Sequence, residues 1–201
     1  MRIALPVVLA AFTLTATTAL GAAEPNPKVA IETTKGKIVV ELFADKAPIS
    51  TQNFLAYVDA KFYNGTIFHR AIPGFMIQGG GFTKDLSEKP TRPPIKNEAA
   101  NGIANTRGTL AMARTNVVDS ATAQFFINVA NNAFLDHKSP EQFGYAVFGK
   151  VIEGMGVVDG MVGGERLCPS TAKAPCTANL PPGMQDVPVE PIIIVKAYRV
   201  K

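Results

Sequence analysis

The sequence predicts one mainly β domain, in which eight strands close into a barrel accompanied by two α-helices. Eight short runs rich in β-branched and aromatic residues are separated by turns of glycine, proline and asparagine. Closing such strands into a barrel leaves no strand edge exposed. A length of 201 residues, of which 47% are hydrophobic and 18% charged, suits a single globular domain.

Each element follows from a local signal. The predicted strands are Val29–Thr34, Lys37–Phe43, Thr66–Arg70, Phe75–Gln78, Thr109–Ala113, Gln124–Val129, Tyr145–Val151 and Ile192–Val200. Lys35-Gly36 predicts a hairpin between the first two. Pro48 suits the first turn of a helix that runs to Ala60. A second helix is predicted over Gly154–Val162, and residues 79–108 and 168–191 are predicted to be loops.

The first 23 residues have the pattern of a secretory signal peptide. Arg2 is followed by an uncharged stretch from Ile3 to Leu20, and small residues close it at positions 19–23. A retained membrane anchor is the alternative, against which the threonines and small residues count. We therefore expect a signal peptide over residues 1–23, a linker over 24–28 and one domain over 29–201.

Charge gives no sign of a polyanionic partner. The formal net charge is +4 and no run of lysine or arginine stands out. The sequence therefore predicts neither a nucleic-acid partner nor a membrane partner after signal cleavage. We expect a monomer.

Two cysteines, Cys168 and Cys176, lie close together in a loop-like segment. Export would favour a disulfide between them. Their spacing fits neither a redox pair nor a four-ligand zinc site. A structural bridge is the favoured interpretation, and two free thiols are the alternative.

The parts used in hydrolysis, phosphoryl transfer and redox chemistry are missing from the sequence. The chain has two histidines, His69 and His137, and no motif pairs either with a nucleophile. No cluster has metal-ligand spacing, and the Gly79–Gly81 run lacks the lysine of a phosphate-binding loop.

One cation stands out in an apolar stretch. Arg70 lies between Phe68 and Phe75, and no acid occurs from Phe68 to Phe82. A buried arginine needs a partner. Either Arg70 is a surface residue on an edge strand, or it is a fixed donor in an apolar pocket that awaits a substrate.

The run FHRAIPGFMIQGGGFT resembles the signature of the cyclophilins, a family of peptidyl-prolyl cis-trans isomerases. Further segments resemble the family in the same order: Gly108–Arg114, Ser120–Ile127, Phe134–Asp136 and Val147–Val151. The likeness extends from about Val29 to Val200. With Phe134, Tyr145 and a longer loop before Tyr145, the chain is most similar to the bacterial periplasmic branch.

The resemblance implies a closed eight-stranded antiparallel β-barrel with a packed interior, capped by two α-helices, with the active site on an outer face. It implies an isomerase of Xaa-Pro peptide bonds that needs no metal or organic cofactor. The partners would be proline-containing polypeptides, mostly unfolded exported proteins, and the location would be the periplasm.

The resemblance also implies roles for individual residues. The catalytic set would be Arg70, Gln78, Phe75 and Phe126. The substrate-binding set would be His69, Met76, Ala113, Arg114, Gln124, Phe134, Leu135 and Tyr145. Arg114 departs from the asparagine common in eukaryotic members, which leaves side-chain preferences open there. Without the motif, the apolar members would be assigned to the core, and Gln124 to a strand edge.

Two other functions would fit parts of the sequence. A module that holds proline-containing segments without turnover would share the pocket, although Arg70, Gln78 and Phe126 argue for catalysis. A β-barrel carrier of a small apolar ligand would need an open interior.

Overall fold

The computed structural model describes residues 26–171, 180–181 and 184–200. Eight strands form a closed barrel: β1 Lys28–Thr33, β2 Gly36–Leu42, β3 Thr66–Ile72, β4 Met76–Thr83, β5 Thr109–Met112, β6 Phe125–Asn128, β7 Val147–Glu153 and β10 Ile192–Val200. Around the barrel they follow the order β1-β10-β3-β4-β6-β5-β7-β2. Every pairing is antiparallel, so the predicted fold class is confirmed.

The two remaining strands form a small separate ribbon. β8, Arg166–Leu167, pairs with β9, Val187–Pro188. The sequence prediction placed β9 in an irregular loop, because a two-residue strand is too short to show an alternating pattern. The ribbon holds the segment between its strands close to β3, through a hydrogen bond from Ala71 N to Asp186 O of 2.9 Å.

The prediction of a loop at Gly79–Gly81 is wrong, because β4 runs through all three glycines. Gly80 has a φ of +86°, a conformation that side chains disfavour. A Cβ on Gly81 would lie 2.5 Å from Cγ of Gln124, so a side chain there would displace that glutamine. These glycines lie in a strand that passes close to other groups. A rule that treats consecutive glycines as the end of a strand cannot tell this case from a turn.

The barrel interior is filled by side chains. One buried cluster contains Phe68, Phe125 and Phe148 from the strands together with Phe54 and other residues of the helices. The Phe54 and Phe125 rings meet edge to face, with centroids 5.3 Å apart. Such packing is typical of a protein core. The described strands therefore enclose no open lumen, which contradicts the carrier alternative.

Both predicted helices are present. α1 spans Pro48–Asp59 and α2 spans Met155–Val162. No side chain of its own segment caps α1. The Glu98 carboxylate instead accepts hydrogen bonds from Ile49 N at 3.0 Å and Ser50 N at 2.8 Å. An acid at this end also favours the helix dipole, so Glu98 fixes α1 from a distant loop.

Three predictions lie wholly or partly outside the described residues. The signal peptide over residues 1–23 and the linker over residues 24–28 are two of them. The third is the disulfide, since Cys176 is not described and the pairing with Cys168 stays a prediction. Within the described part of the chain, no helix is long and apolar enough to span a membrane.

Candidate active site

On four neighbouring strands, one row of side chains points into the core. The next row, called the site row, points out of the barrel. Ala71, Ile77, Ile127 and Leu110 lie opposite one another across β3, β4, β6 and β5, and all belong to the interior cluster. The next row is Arg70, Gln78, Phe126 and Ala111. Because successive side chains on a strand point to opposite faces, this second row lies on the outside of the barrel.

A cavity of about 130 Å³ lies on this outer face. Its lining residues were all predicted for the site: Arg70, Phe75, Met76, Gln78, Ala113, Arg114, Phe126, Leu135 and Tyr145. Met76, Phe126 and Leu135 are buried in a second apolar cluster, separate from the interior one. The cavity is therefore small and preformed, with apolar side chains in its walls and the two arginines, Arg70 and Arg114, among its lining residues.

Arg70 has no ion-pair or hydrogen-bond partner for its side chain in the described part of the chain. Its side chain is half-buried. Among the described residues, no carboxylate forms an ion pair with Arg70 and no group accepts a hydrogen bond from its side chain. Its N–H donors are therefore available to a bound ligand. This agrees with a fixed donor in a pocket and not with a residue on an edge strand, because β3 is paired on both sides.

The two glutamines predicted for the site, Gln78 and Gln124, form a hydrogen bond with each other. Gln78 Nε2 donates a hydrogen bond of 2.9 Å to Gln124 Oε1. The Gln124 side chain lies over Gly81, where a Cβ would clash with it. Gln78 is directly opposite Arg70 in the β3–β4 pairing. The glutamine pair thus stands beside the guanidinium as a second polar group.

The rim of the cavity is aromatic. Phe134 is 65% exposed, and its ring stacks on Phe75 with centroids 5.5 Å apart. Tyr145 meets Phe126 edge to face at 5.7 Å, and Cζ of Arg114 lies 4.6 Å from the centroid of the Tyr145 ring. The Arg114 side chain also bonds backbone carbonyls nearby. Tyr145 precedes β7, although the sequence prediction placed it inside that strand.

His69 does not line this cavity. It is 7% exposed, and its ring packs against Phe82 with centroids 4.7 Å apart. Burial, and then the positive charge of Arg70, lower the pKa of His69 to about 4. Its Nδ1 is buried, and no described residue forms a hydrogen bond with it. His69 is therefore a neutral packing residue beside the site at pH 7.

Sequence reasoning missed three buried asparagines that hold the cavity walls. Asn132 Nδ2 donates to Phe75 O at 2.9 Å and to Asn128 Oδ1 at 2.7 Å. Asn128 Nδ2 donates to Asn105 Oδ1 at 3.2 Å. Asn105 Nδ2 in turn donates to the backbone oxygens of Leu135 and Tyr145, each at 3.3 Å. One network thus links three pocket residues, and no spacing rule in the sequence points to it.

We expect Asn132→Ala to destabilise the protein by about 1–3 kcal/mol, because buried polar groups of the network lose their partner. Phe75 should also be held less firmly, so KM for a prolyl peptide should rise more than kcat falls. Urea unfolding and steady-state kinetics measure the two effects. Asn116→Ala is the matched control, since Asn116 is exposed and should change neither. Equal stability of the two variants would contradict the role given to the network.

Other candidate sites are weaker. A larger cavity of about 570 Å³ lies along α2 and β9, and none of the predicted site residues lines it. Among the residues that the structure describes, no group of three or more His, Cys, Asp or Glu could hold a metal ion.

Comparison with known proteins shows the family of this chain. Residues 28–198 match the family model of cyclophilin type peptidyl-prolyl cis-trans isomerases. The chain is 51% identical over 197 residues to peptidyl-prolyl cis-trans isomerase A of Dickeya dadantii, covering 98% of this chain and 97% of that protein. It is 52% identical over 169 residues to isomerase B of Escherichia coli strain K12, covering 83% and 95% of the two chains.

A solved structure resembles the fold as well. It is a cyclophilin type isomerase of Cryptosporidium parvum, in the presence of the dipeptide Ala-Pro, with a TM-score of 0.65 and 26% identity. The match covers 87% of this chain and 99% of that one. Sequence, fold and family model agree, and the chain belongs to the cyclophilin type peptidyl-prolyl cis-trans isomerases.

Proposed function

We propose that this isomerase acts on Xaa-Pro bonds of exported polypeptides outside the cytoplasm, with Arg70 as the group that stabilises the twisted peptide bond. The observation that carries the catalytic part is the Arg70 guanidinium, which has no partner among the described residues and lines a small cavity beside apolar side chains. The observation that supports export is the pattern of residues 1–23.

The reaction requires no acid, base or nucleophile. Rotation about the peptide bond is opposed by the loss of amide resonance, a barrier of about 18–20 kcal/mol. An enzyme lowers this barrier by binding the twisted amide better than either planar isomer. In the twisted amide the prolyl nitrogen becomes pyramidal and exposes a lone pair. A hydrogen-bond donor placed beside that nitrogen therefore acts only in the transition state.

Arg70 suits this role for two reasons. Its guanidinium is rigid and stays charged, so it offers a fixed donor. The half-buried cavity edge also strengthens the interaction, because little water competes there. Phe75, Met76, Phe126 and Leu135 supply the apolar walls that would hold the proline ring.

The glutamine pair would fix the rest of the peptide. Gln78 and Gln124 bond each other, which leaves their remaining amide groups free to meet a carbonyl or the Arg70 side chain. The Ala113 and Arg114 backbone would lie along the peptide. A pocket of about 130 Å³ can hold one small ring and little else. Sequence selectivity must then come from contacts outside it.

A prolyl isomerase assay tests the proposal. The protein as produced should accelerate cis-to-trans conversion of an Xaa-Pro peptide in proportion to enzyme concentration. A module that binds without turnover would saturate with the peptide and leave the conversion rate unchanged, and that result would overturn the catalytic assignment.

The export part has its own measurement. Protein expressed from the full sequence in a bacterial host should be recovered outside the cytoplasm, with an intact mass that starts between Ala22 and Glu24. The reason is the uncharged stretch followed by small residues at 19–23. A Lys substitution at Val8, within the apolar stretch, should block export. Recovery of wild-type protein with residues 1–20 still attached would contradict the prediction.

A further inference from the structure

A second cavity, of about 360 Å³, adjoins the proline-sized one. Arg70 and Gln78 line both cavities. The second cavity also includes Met184 and Gln185, which come from the segment between β8 and β9. A polypeptide held with its proline beside Arg70 can therefore place a neighbouring side chain in this space.

The wall formed by Met184 and Gln185 is fixed to the strand that carries Arg70. Asp186, the next residue, accepts a hydrogen bond of 2.9 Å through its carbonyl from Ala71 N. Its carboxylate is fully buried, and Oδ1 accepts bonds of 3.0 Å from Arg166 Nη1 and from Ser170 N. The carbonyl thus ties Asp186 to β3, and the carboxylate ties it to β8 and to Ser170. The wall cannot move away from Arg70 without breaking these bonds.

The lining has a definite chemistry. It contains the Phe82 ring, the thioether of Met184 and the ring of His69, which is neutral at pH 7 because burial and Arg70 lower its pKa to about 4. Phe82 and Met184 form its apolar side. The opposite chemistry comes from the amide groups of Gln78, Gln124 and Gln185, and Arg70 is the one charged residue among the lining residues. Aromatic and thioether surfaces favour apolar side chains, whereas Arg70 repels a lysine or arginine.

We propose that this cavity is a second substrate subsite, which takes an apolar or aromatic side chain close to the proline in the polypeptide. Met184 determines its preference, and Asp186 is a positioning residue that holds Met184 in place. The inference rests on the proposed placement of the reacting bond at Arg70.

A peptide series tests it. Each peptide keeps the same Ala-Pro centre, and one position within two residues of the proline, on either side, is Ala, Leu, Phe or Lys. At one of these positions we expect kcat/KM for Phe or Leu to exceed that for Ala by about tenfold, the gain from partial burial of a large apolar side chain. Lys at the same position should fall below Ala.

Met184→Ala should reduce this preference to about twofold, because the thioether wall is lost. Val189→Ala is the matched control. Val189 is an apolar residue directly after β9, 49% exposed, that does not line the subsite. It should keep the full preference.

The role of Asp186 is tested with the ratio of kcat/KM for the Phe or Leu peptide to kcat/KM for the Ala peptide. A ratio of kcat/KM values for two peptides does not depend on the amount of folded enzyme, so a merely structural loss leaves it unchanged. Asp186→Ala should lower the ratio as Met184→Ala does, and Asp186→Asn, which keeps an acceptor oxygen, should retain most of it.

Two results would overturn the inference while isomerase activity stands: equal rates for all side chains at every position, or a preference that survives Met184→Ala. Loss of activity on every peptide would instead overturn the proposed placement of the reaction at Arg70, and the subsite with it.

Discussion

Arg70→Ala should lower kcat/KM for a prolyl peptide by about a hundredfold, or at least about 2.7 kcal/mol of transition-state stabilisation, if the guanidinium acts as oxyanion-hole donors do. The effect should appear mainly in kcat, because the donor meets the prolyl nitrogen only in the twisted state. The fold should persist, since Arg70 makes no ion pair with another described residue. Steady-state kinetics and circular dichroism measure the two properties.

Two further variants sharpen this experiment. Arg70→Lys should be only partly active, because a flexible ammonium cannot reproduce the rigid fork. Arg92→Ala removes the same side chain from an exposed position outside both cavities and should keep wild-type activity. If Arg70→Ala folded normally and turned over like Arg92→Ala, the mechanism would be wrong.

Acidification should destabilise the protein through His69. Its pKa is about 4 in the folded state against 6.5 for a free imidazole, because of burial first and Arg70 second. Below pH 6.5 the unfolded chain therefore binds a proton that the folded chain does not. The contribution of neutral His69 to the free energy of unfolding is fully present above pH 6.5 and is lost as the pH falls towards 4. The total loss from this group is about 3 kcal/mol.

Urea unfolding at several pH values measures this loss. His69→Gln cannot titrate, so its stability should fall less than that of the wild type between pH 6.5 and 4. Histidine NMR spectra give a second measurement on the unaltered protein, with His137→Gln used to assign the two imidazole signals. A His69 signal that titrates near pH 6.5 would contradict the prediction. In that case kcat/KM would also show an inflection there, whereas we expect none.

The sequence predicted well those parts of the fold that depend on residues close together in the chain. Alternating apolar residues mark the strands, and Pro48 marks the start of α1. The same alternation explains why Ile77 enters the core and Gln78 does not. The cavity residues were found through motifs, because burial alone would have assigned Phe126 and Met76 to the ordinary core.

The features that were missed have causes distant in sequence. Gly81 is needed because Gln124 crosses it, and Asn105 is needed because it bonds the backbone at Leu135 and Tyr145. Asp186 ties a loop to β3, more than a hundred residues earlier. Each contact joins residues that meet only when the barrel has formed. A sequence pattern within one segment therefore cannot predict it.

The outward position of the site row has a consequence for the kinds of molecule that this enzyme can serve. The row of Arg70, Gln78 and Phe126 lies on the convex outside of a closed barrel. Only a few residues of a client need to touch that surface, and both of its chain ends stay free. A long chain can therefore be engaged in its middle, without threading and without an end to start from.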